Sequence, residues 1–192
     1  MEIIRCGWCG TDELYCNYHD TEWGVPVHND LKMFETLILE TFQAGLSWIT
    51  VLKKREAFRE AFFNFNPEKM AGMDDGNIAD LMQNPGIIRN RAKIRAAIQN
   101  ARCYLNMMES GRPLSAFLWQ FTDGKTRVNQ YTALKDLPSK TELSDKISNE
   151  LKAMGFSFMG STVVYAHLQA TGIINDHLTS CFRYRELSHI PH

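Results

Sequence analysis

Apolar residues recur along most of this chain at three- and four-residue steps, the period of an α-helix with one face turned to a core. In "NDLKMFETLILETF" (29–42) they are Leu31, Phe34, Leu37, Ile38 and Phe42, with Asp30 as a candidate N-cap. "LSWITVLKKREAFREAFFNF" (46–65) has a cap candidate in Ser47 and turns Val51, Leu52, Phe58 and Phe62 inward. "NPEKMAGM" (66–73) begins with an Asn-Pro start signal, and "DGNIADLMQ" (75–83) reads as another short helix. After "NPGII" a long helix runs through "RNRAKIRAAIQNARCYLNMMESG" to Gly111. "PLSAFLWQF", "ELSDKISNELKAMG" and "STVVYAHLQATG" follow, the last two closed by Gly155 and Gly172. Each of these glycines suits the left-handed position that ends a helix. Residues 123–140 look irregular, and the brief β-prone run Val163, Val164, Tyr165 sits inside the last helical segment. With no alternating strand series, repeat or low-complexity linker, the pattern predicts an all-α fold.

Composition narrows the class. A chain of 192 residues, 44% hydrophobic, fits one domain with a packed interior. Its 21 basic and 22 acidic residues leave a formal charge of -1, so a polyanion has to be met by a local basic patch. No apolar run approaches the roughly 20 residues of a membrane helix, and the first residues lack the basic start and apolar core of a signal peptide, so a cytoplasmic location without membrane contact is expected. Five cysteines, an odd number, argue against a disulfide framework and turn attention to metal.

The cysteines cluster. "RCGWCGTDELYCNYHDTEWG" (5–24) carries Cys6, Cys9, Cys16 and His19, and "NDHLTSC" near the other end carries His177 and Cys181 four residues apart. A helical stretch there would put His177 and Cys181 on one face. Two ligands from each end would make a four-coordinate structural zinc that clamps the termini together. Cys6 with Cys9 has the usual knuckle spacing, and Cys6 with His19 is the other possible N-terminal pair.

Two further stretches carry candidate chemistry. In "LMQNPGIIRNRAKIRAAI" (81–98) a turn at Pro85-Gly86 leads into a helix starting with Arg89, Arg91, Lys93 and Arg95, an arrangement of amides and cations suited to a phosphate. Lys53-Lys54-Arg55 is placed to flank the same groove, and such contacts bind DNA independently of sequence. In "LETFQAGLSW" (39–48) Glu40 falls at the edge of an apolar helix face, either a marginal surface residue or a placed functional group. The aromatic residues of 5–24 crowd a segment that reads as loop, with Asn and Asp between them, which favours a pocket over core packing.

Taken together, these stretches closely resemble the type I 3-methyladenine DNA glycosylases, base-excision repair enzymes of the helix-hairpin-helix superfamily. The similar blocks are "RCGW", "YHDTEWGVP", "FQAGLSWITVLKKRE", "GIIRNRAKI", "GFSFMGST" and "GIINDH", spread over nearly the whole chain. The resemblance implies one glycosylase domain over 1–192, with the hairpin at 81–98 in a helical bundle. It implies one structural zinc per chain, held by Cys6, His19, His177 and Cys181, with Cys9, Cys16 and Cys103 outside the ligand pattern. It also implies a base pocket lined by Trp8, Tyr15, Tyr18, Trp23 and Trp48, in which Glu40 recognises the base edge.

The reaction so implied is hydrolysis of the N-glycosidic bond of 3-methyladenine in double-stranded DNA, releasing the free base and leaving an abasic site. "NPGIIRNR" has no lysine nucleophile for a lyase step and no equivalent of the aspartate that many helix-hairpin-helix glycosylases use. The expected DNA contacts are Gly45 and Leu46, the latter as a wedge, with Lys53, Gly86, Arg89, Arg91 and Lys93 on the backbone. The chain is expected to act as a monomer. The rival readings are a non-catalytic zinc-stabilised DNA-binding module and a redox-responsive regulator using Cys6 and Cys9. Neither needs Glu40 with a cage of aromatic rings.

Overall fold

The periodic segments become helices in the structure, a computed structural model that describes residues 3–188. A 3-10 turn, Gly7–Cys9, leads into α1 (Glu13–Thr21), α2 (Asp30–Gln43), α3 (Trp48–Leu52) and α4 (Arg55–Ala61). Then come α5 (Pro67–Ala71), α6 (Asp75–Leu81), the long α7 (Arg91–Glu109), α8 (Leu114–Trp119), α9 (Glu142–Ala153), α10 (Ser161–Ala170) and α11 (Phe182–Ser188). The fold is all-α. Its one strand pairing among the described residues is the two-residue parallel contact of β1 (Arg127–Val128), inside the segment read as irregular, with β2 (Ile174–Asn175), just after the last helical segment.

Capping departs from the expectation at two helices: Ser47 precedes α3, but its hydroxyl meets the Thr50 hydroxyl at 2.8 Å and caps no amide. Asn29, not Asp30, caps α2, its side chain accepting from the Lys32 amide at 2.8 Å. Asp30 instead accepts from the Ser115 amide at 2.7 Å and so ties α2 to the start of α8. Leu31, expected inside, is exposed because it lies in the first turn, at the rim of a surface depression with Phe63 and Pro67. Phe34, Leu37, Ile38 and Phe42 are fully buried, each worth about 1.5–3 kcal/mol of apolar transfer.

The segment 46–65 is not one helix. The chain turns at Lys53 and Lys54 between α3 and α4, and the Lys54 ammonium donates to the carbonyls of Pro85 (2.9 Å) and Gly86 (3.3 Å). The break therefore lets a side chain pin the turn between α6 and α7. Pro26 and Val25 press on Gly172, where φ is +70° and a Cβ would stand 2.5 Å from their backbone atoms. Only glycine allows the chain to leave α10 against that segment. Among the described residues no helix is long and apolar enough to cross a membrane.

Candidate active site

The segment 5–24 is helical rather than loop. Asp12 caps α1 by accepting from the Tyr15 amide at 3.1 Å, and Tyr15 and Tyr18, three apart, project from one side of it. Trp8, on the preceding 3-10 turn, meets Tyr15 at 4.9 Å and Trp23 at 5.0 Å between ring centroids, while Tyr18 meets Trp48 of α3 at 5.3 Å. These rings and Glu40 line one cavity of about 180 Å³, closed further by Gln43, Leu137, Ala166 and Gln169. That is the scale of a single planar base, below the about 300 Å³ at which drug-sized sites begin.

Two buried polar atoms of this cavity lack protein partners. Glu40 is 3% exposed, and its Oε2, like the indole Nε1 of Trp48, makes no hydrogen bond. Burial alone pushes the Glu40 carboxyl up to about 8. The Tyr18 hydroxyl is held well above its ordinary value, first by burial and then by Glu40. A buried polar atom without a partner costs about 1–3 kcal/mol, so a donor and an acceptor of this kind facing one cavity point to a ligand that satisfies both. A larger surface groove of about 900 Å³ runs along α7 past Asp75, Arg95 and Gln99; it is remote from the rings and holds none of these unpartnered atoms.

Behind the ring wall lies a second cluster. Cys6, His19, His177 and Cys181 are all buried, and one donor atom from each lies within 4.8 Å of the others. The sulfurs of Cys6 and Cys181 each lie 3.5 Å from His177 Nδ1, and that of Cys181 also lies 3.5 Å from His19 Nε2. The neighbouring Cys6 thiol, helped by the two histidines, holds the Cys181 thiol well below its ordinary value. The remaining ring nitrogens are engaged: His19 Nδ1 faces Asp20 at 2.8 Å, and His177 Nε2 faces the Trp23 carbonyl at 3.1 Å. Asp20 is gripped in turn by Arg5 at 2.7–2.9 Å. Two thiols and two oriented imidazoles, sealed from water, form a donor set that fits a metal ion. His177 and Cys181 do not share a helix face, since the chain between them is a turn ahead of α11. Cys9 lies outside the cluster, its thiol donating to the Cys6 carbonyl at 3.1 Å.

Family and structural comparisons agree with this geometry. A family model described as methyladenine glycosylase matches residues 8–184. The chain belongs to the methyladenine glycosylase family. It is 49% identical over 180 residues to DNA-3-methyladenine glycosylase 1 of Escherichia coli (strain K12), covering 94% of this chain and 96% of that one. It is also 49% identical to the Haemophilus influenzae DNA-3-methyladenine glycosylase, over 92% of this chain and 96% of the relative. A crystal structure of a 3-methyladenine DNA glycosylase I superposes with a TM-score of 0.92 at 47% identity, covering 93% of this chain and 98% of that one. A Staphylococcus aureus 3-methyladenine DNA glycosylase I, solved to define 3-methyladenine recognition, superposes at 0.90 with 37% identity over 98% and 97% of the two chains.

On this family member, the residues expected to meet DNA divide. Gly45 adopts φ +78°, a left-handed conformation that glycine takes without strain, and Leu46 beside it is an exposed apolar side chain on the loop after α2. Arg89 and Arg91 are exposed at the start of α7, whose first turn is capped by Asn90. Gly86 sits in the turn with its amide donating to Asn84 at 2.8 Å, and a Cβ there would stand 2.9 Å from Ala57. Lys53 is exposed and paired with Asp12 at 2.7 Å.

Lys93 is a correction. It is 6% exposed, and its ammonium donates to the carbonyls of Phe42 (2.8 Å) and Ala44 (2.6 Å) at the end of α2. Its cation satisfies a helix C-terminus instead of facing solvent, and burial pulls its pKa down. In doing so it fixes the helix end that carries Glu40 and Gln43 and from which the Gly45-Leu46 loop departs. Of the cavity residues not anticipated, Gln43 was legible as the neighbour one turn beyond Glu40. Leu137 comes from an aperiodic segment, and Ala166 and Gln169 from a helix that gave no signal of a site.

Proposed function

We propose that this chain is a monofunctional DNA-3-methyladenine glycosylase of the helix-hairpin-helix superfamily, acting as a monomer on double-stranded alkylated DNA. It hydrolyses the N-glycosidic bond of 3-methyladenine and leaves an abasic site. The observation that carries the reading is Glu40, buried without a partner for Oε2 and facing a cavity walled by Trp8, Tyr15, Tyr18, Trp23 and Trp48. The names of the relatives, and the solved complex of a homologous variant with 3-methyladenine, support the same substrate.

The chemistry follows from the substrate's charge. Adenine methylated at N3 is cationic while it remains on the sugar, and electron-rich rings attract such a cation by about 0.5–2 kcal/mol per good contact. The nucleotide has to leave the stack, which costs a few kcal/mol and least at a damaged base. Leu46 is the side chain placed to fill the gap, while Arg89, Arg91 and the turn at Gly86 hold the backbone. Inside the pocket Glu40 is regained as a carboxylate beside the cation and accepts from the base edge, which fixes the base against the rings. The glycosidic bond then breaks with its electron pair going to the base, neutralising it. Water adds to the oxocarbenium-like sugar and loses a proton. A base that leaves as a neutral molecule needs little general-acid help, in keeping with the absence of a further acidic residue among those lining the cavity.

Cys6, His19, His177 and Cys181 are the residues that would hold zinc, one ion per chain. With four protein ligands it would be structural, joining the termini and, through His177 and the Trp23 carbonyl, steadying one wall of the pocket. The test is release of free 3-methyladenine from freshly alkylated duplex DNA by purified protein. The proposal expects release by the wild type and near-loss in Glu40→Ala with DNA binding kept. Folded wild-type protein that binds DNA but frees no base would instead establish the binding-module reading.

A further inference from the structure

Gln169 lines the base cavity from α10, an element that supplies none of the rings, yet its amide is not free to turn. Its Nε2 donates to Asp176 Oδ2 at 2.7 Å. Asp176 is 1% exposed and receives two other donors: the Tyr165 hydroxyl on the same oxygen, and Asn129 Nδ2 on Oδ1 at 2.7 Å. A carboxylate ringed by donors acts only as an acceptor, so it selects the NH₂ half of the Gln169 amide and leaves the carbonyl half for the cavity. Asp176 is itself tethered on both sides. Asn129 follows β1, which pairs with β2, and His177, the next residue, belongs to the buried Cys/His cluster.

We propose that Gln169 is a specificity-determining residue of the pocket, its carbonyl oxygen held toward the base by Asp176. The pocket then takes a ring edge that carries an N–H donor, such as the exocyclic amine of adenine, and rejects one that carries a carbonyl in the same place, such as O6 of guanine. Rejection follows because two acceptors brought face to face in a dry site both lose the hydrogen bonds that water gave them. Asp176 is a positioning residue: it touches no base and acts through the orientation of Gln169. The inference rests on the base-binding role proposed above and adds to it the residue that sets the preference for adenine.

Binding of the free bases isolates this step from catalysis. Free 3-methyladenine and 3-methylguanine are titrated against the whole protein, following quenching of tryptophan fluorescence, since Trp8, Trp23 and Trp48 line the site. The wild type is expected to prefer 3-methyladenine. Gln169→Ala and the apolar isostere Gln169→Met are expected to weaken 3-methyladenine by about tenfold, roughly one lost hydrogen bond, and to narrow the preference. Asp176→Asn replaces one of two acceptor oxygens by an amide donor; with that NH₂ toward Gln169 the Gln169 amide turns over, and binding of 3-methylguanine is expected to rise relative to 3-methyladenine. A merely structural role would lower both bases together. Thermal unfolding and metal content are measured on every variant, and if Asp176→Asn does not fold, the two Gln169 variants decide. An unchanged preference in folded Gln169 variants, or no preference in the wild type, overturns the inference. A wild type that discriminates between the bases yet releases none from DNA would sink the glycosylase reading while leaving this one standing.

Discussion

Two groups of buried polar side chains lie on either side of the Trp23 ring, and they are finished to opposite standards. In the Cys6, His19, His177 and Cys181 cluster each ring nitrogen and each sulfur has a neighbour within 3.5 Å, and Asp20 and the Trp23 carbonyl orient the two imidazoles. In the cavity, Glu40 Oε2 and Trp48 Nε1 have none. Folding favours the first arrangement and is penalised by the second. The contrast separates a centre that holds the chain together from a site that waits for a ligand, although Trp23 lines the one and packs on His177 of the other at 4.5 Å between ring centroids.

That contrast can be broken at several points. Cys181→Ala removes one donor of the cluster, and loss of metal-linked folding is expected to lower stability by about 4 kcal/mol or more, read by denaturant unfolding; a chelator should act on the wild type in the same direction. Glu40→Gln is expected to reduce base release by about a hundredfold or more while leaving the metal content at one per chain, measured as single-turnover release beside elemental analysis. Lys93→Met and Arg91→Ala form a matched pair. The former leaves carbonyls at the end of α2 unpaired and should cost about 1–3 kcal/mol of stability with the salt dependence of DNA binding unchanged. The latter should leave stability alone and reduce the slope of log affinity against log salt by about one. If Lys93→Met moved the salt slope instead, the placement of its ammonium inside the protein would be wrong.

The same pair shows where sequence reasoning reaches and where it stops. Arg89, Arg91 and Lys93 look alike in "NPGIIRNRAKI", and only the packing of α7 on the end of α2 turns the third inward. Helix positions on α2, α7, α9 and α10 were legible because periodic apolar residues report the buried face directly. Leu31 and the break at Lys53 and Lys54 were not, because the edge of a core and a tertiary contact to Pro85 and Gly86 leave no mark on periodicity. The rings of 5–24 stood out by density, although the segment forms a helix and not a loop. Gln169 and Asp176 were not legible: Gln169 is one more polar position on a mixed helix and Asp176 is flanked by Asn175 and His177, and their meaning lies in a hydrogen bond between a helix and the segment after β2.

The central claim is that Glu40 is buried for the sake of a ligand and at the expense of folding, and the pH dependence of stability tests it directly. The Glu40 carboxyl is raised from 4.5 to about 8 in the folded protein. Between those values the unfolded chain releases a proton that the folded chain keeps, so the folded state loses ground as pH rises, on the order of a few kcal/mol once pH passes 8. Glu40→Gln removes the titration. The measurement is the melting temperature of Glu40→Gln against wild type from pH 5 to pH 8.5, without ligand. The variant is expected to gain steadily on the wild type as pH rises and to be the more stable protein at the upper end. A constant difference across that range, or a variant that falls below the wild type at high pH, would show that the Glu40 carboxylate is satisfied within the fold and would contradict the account.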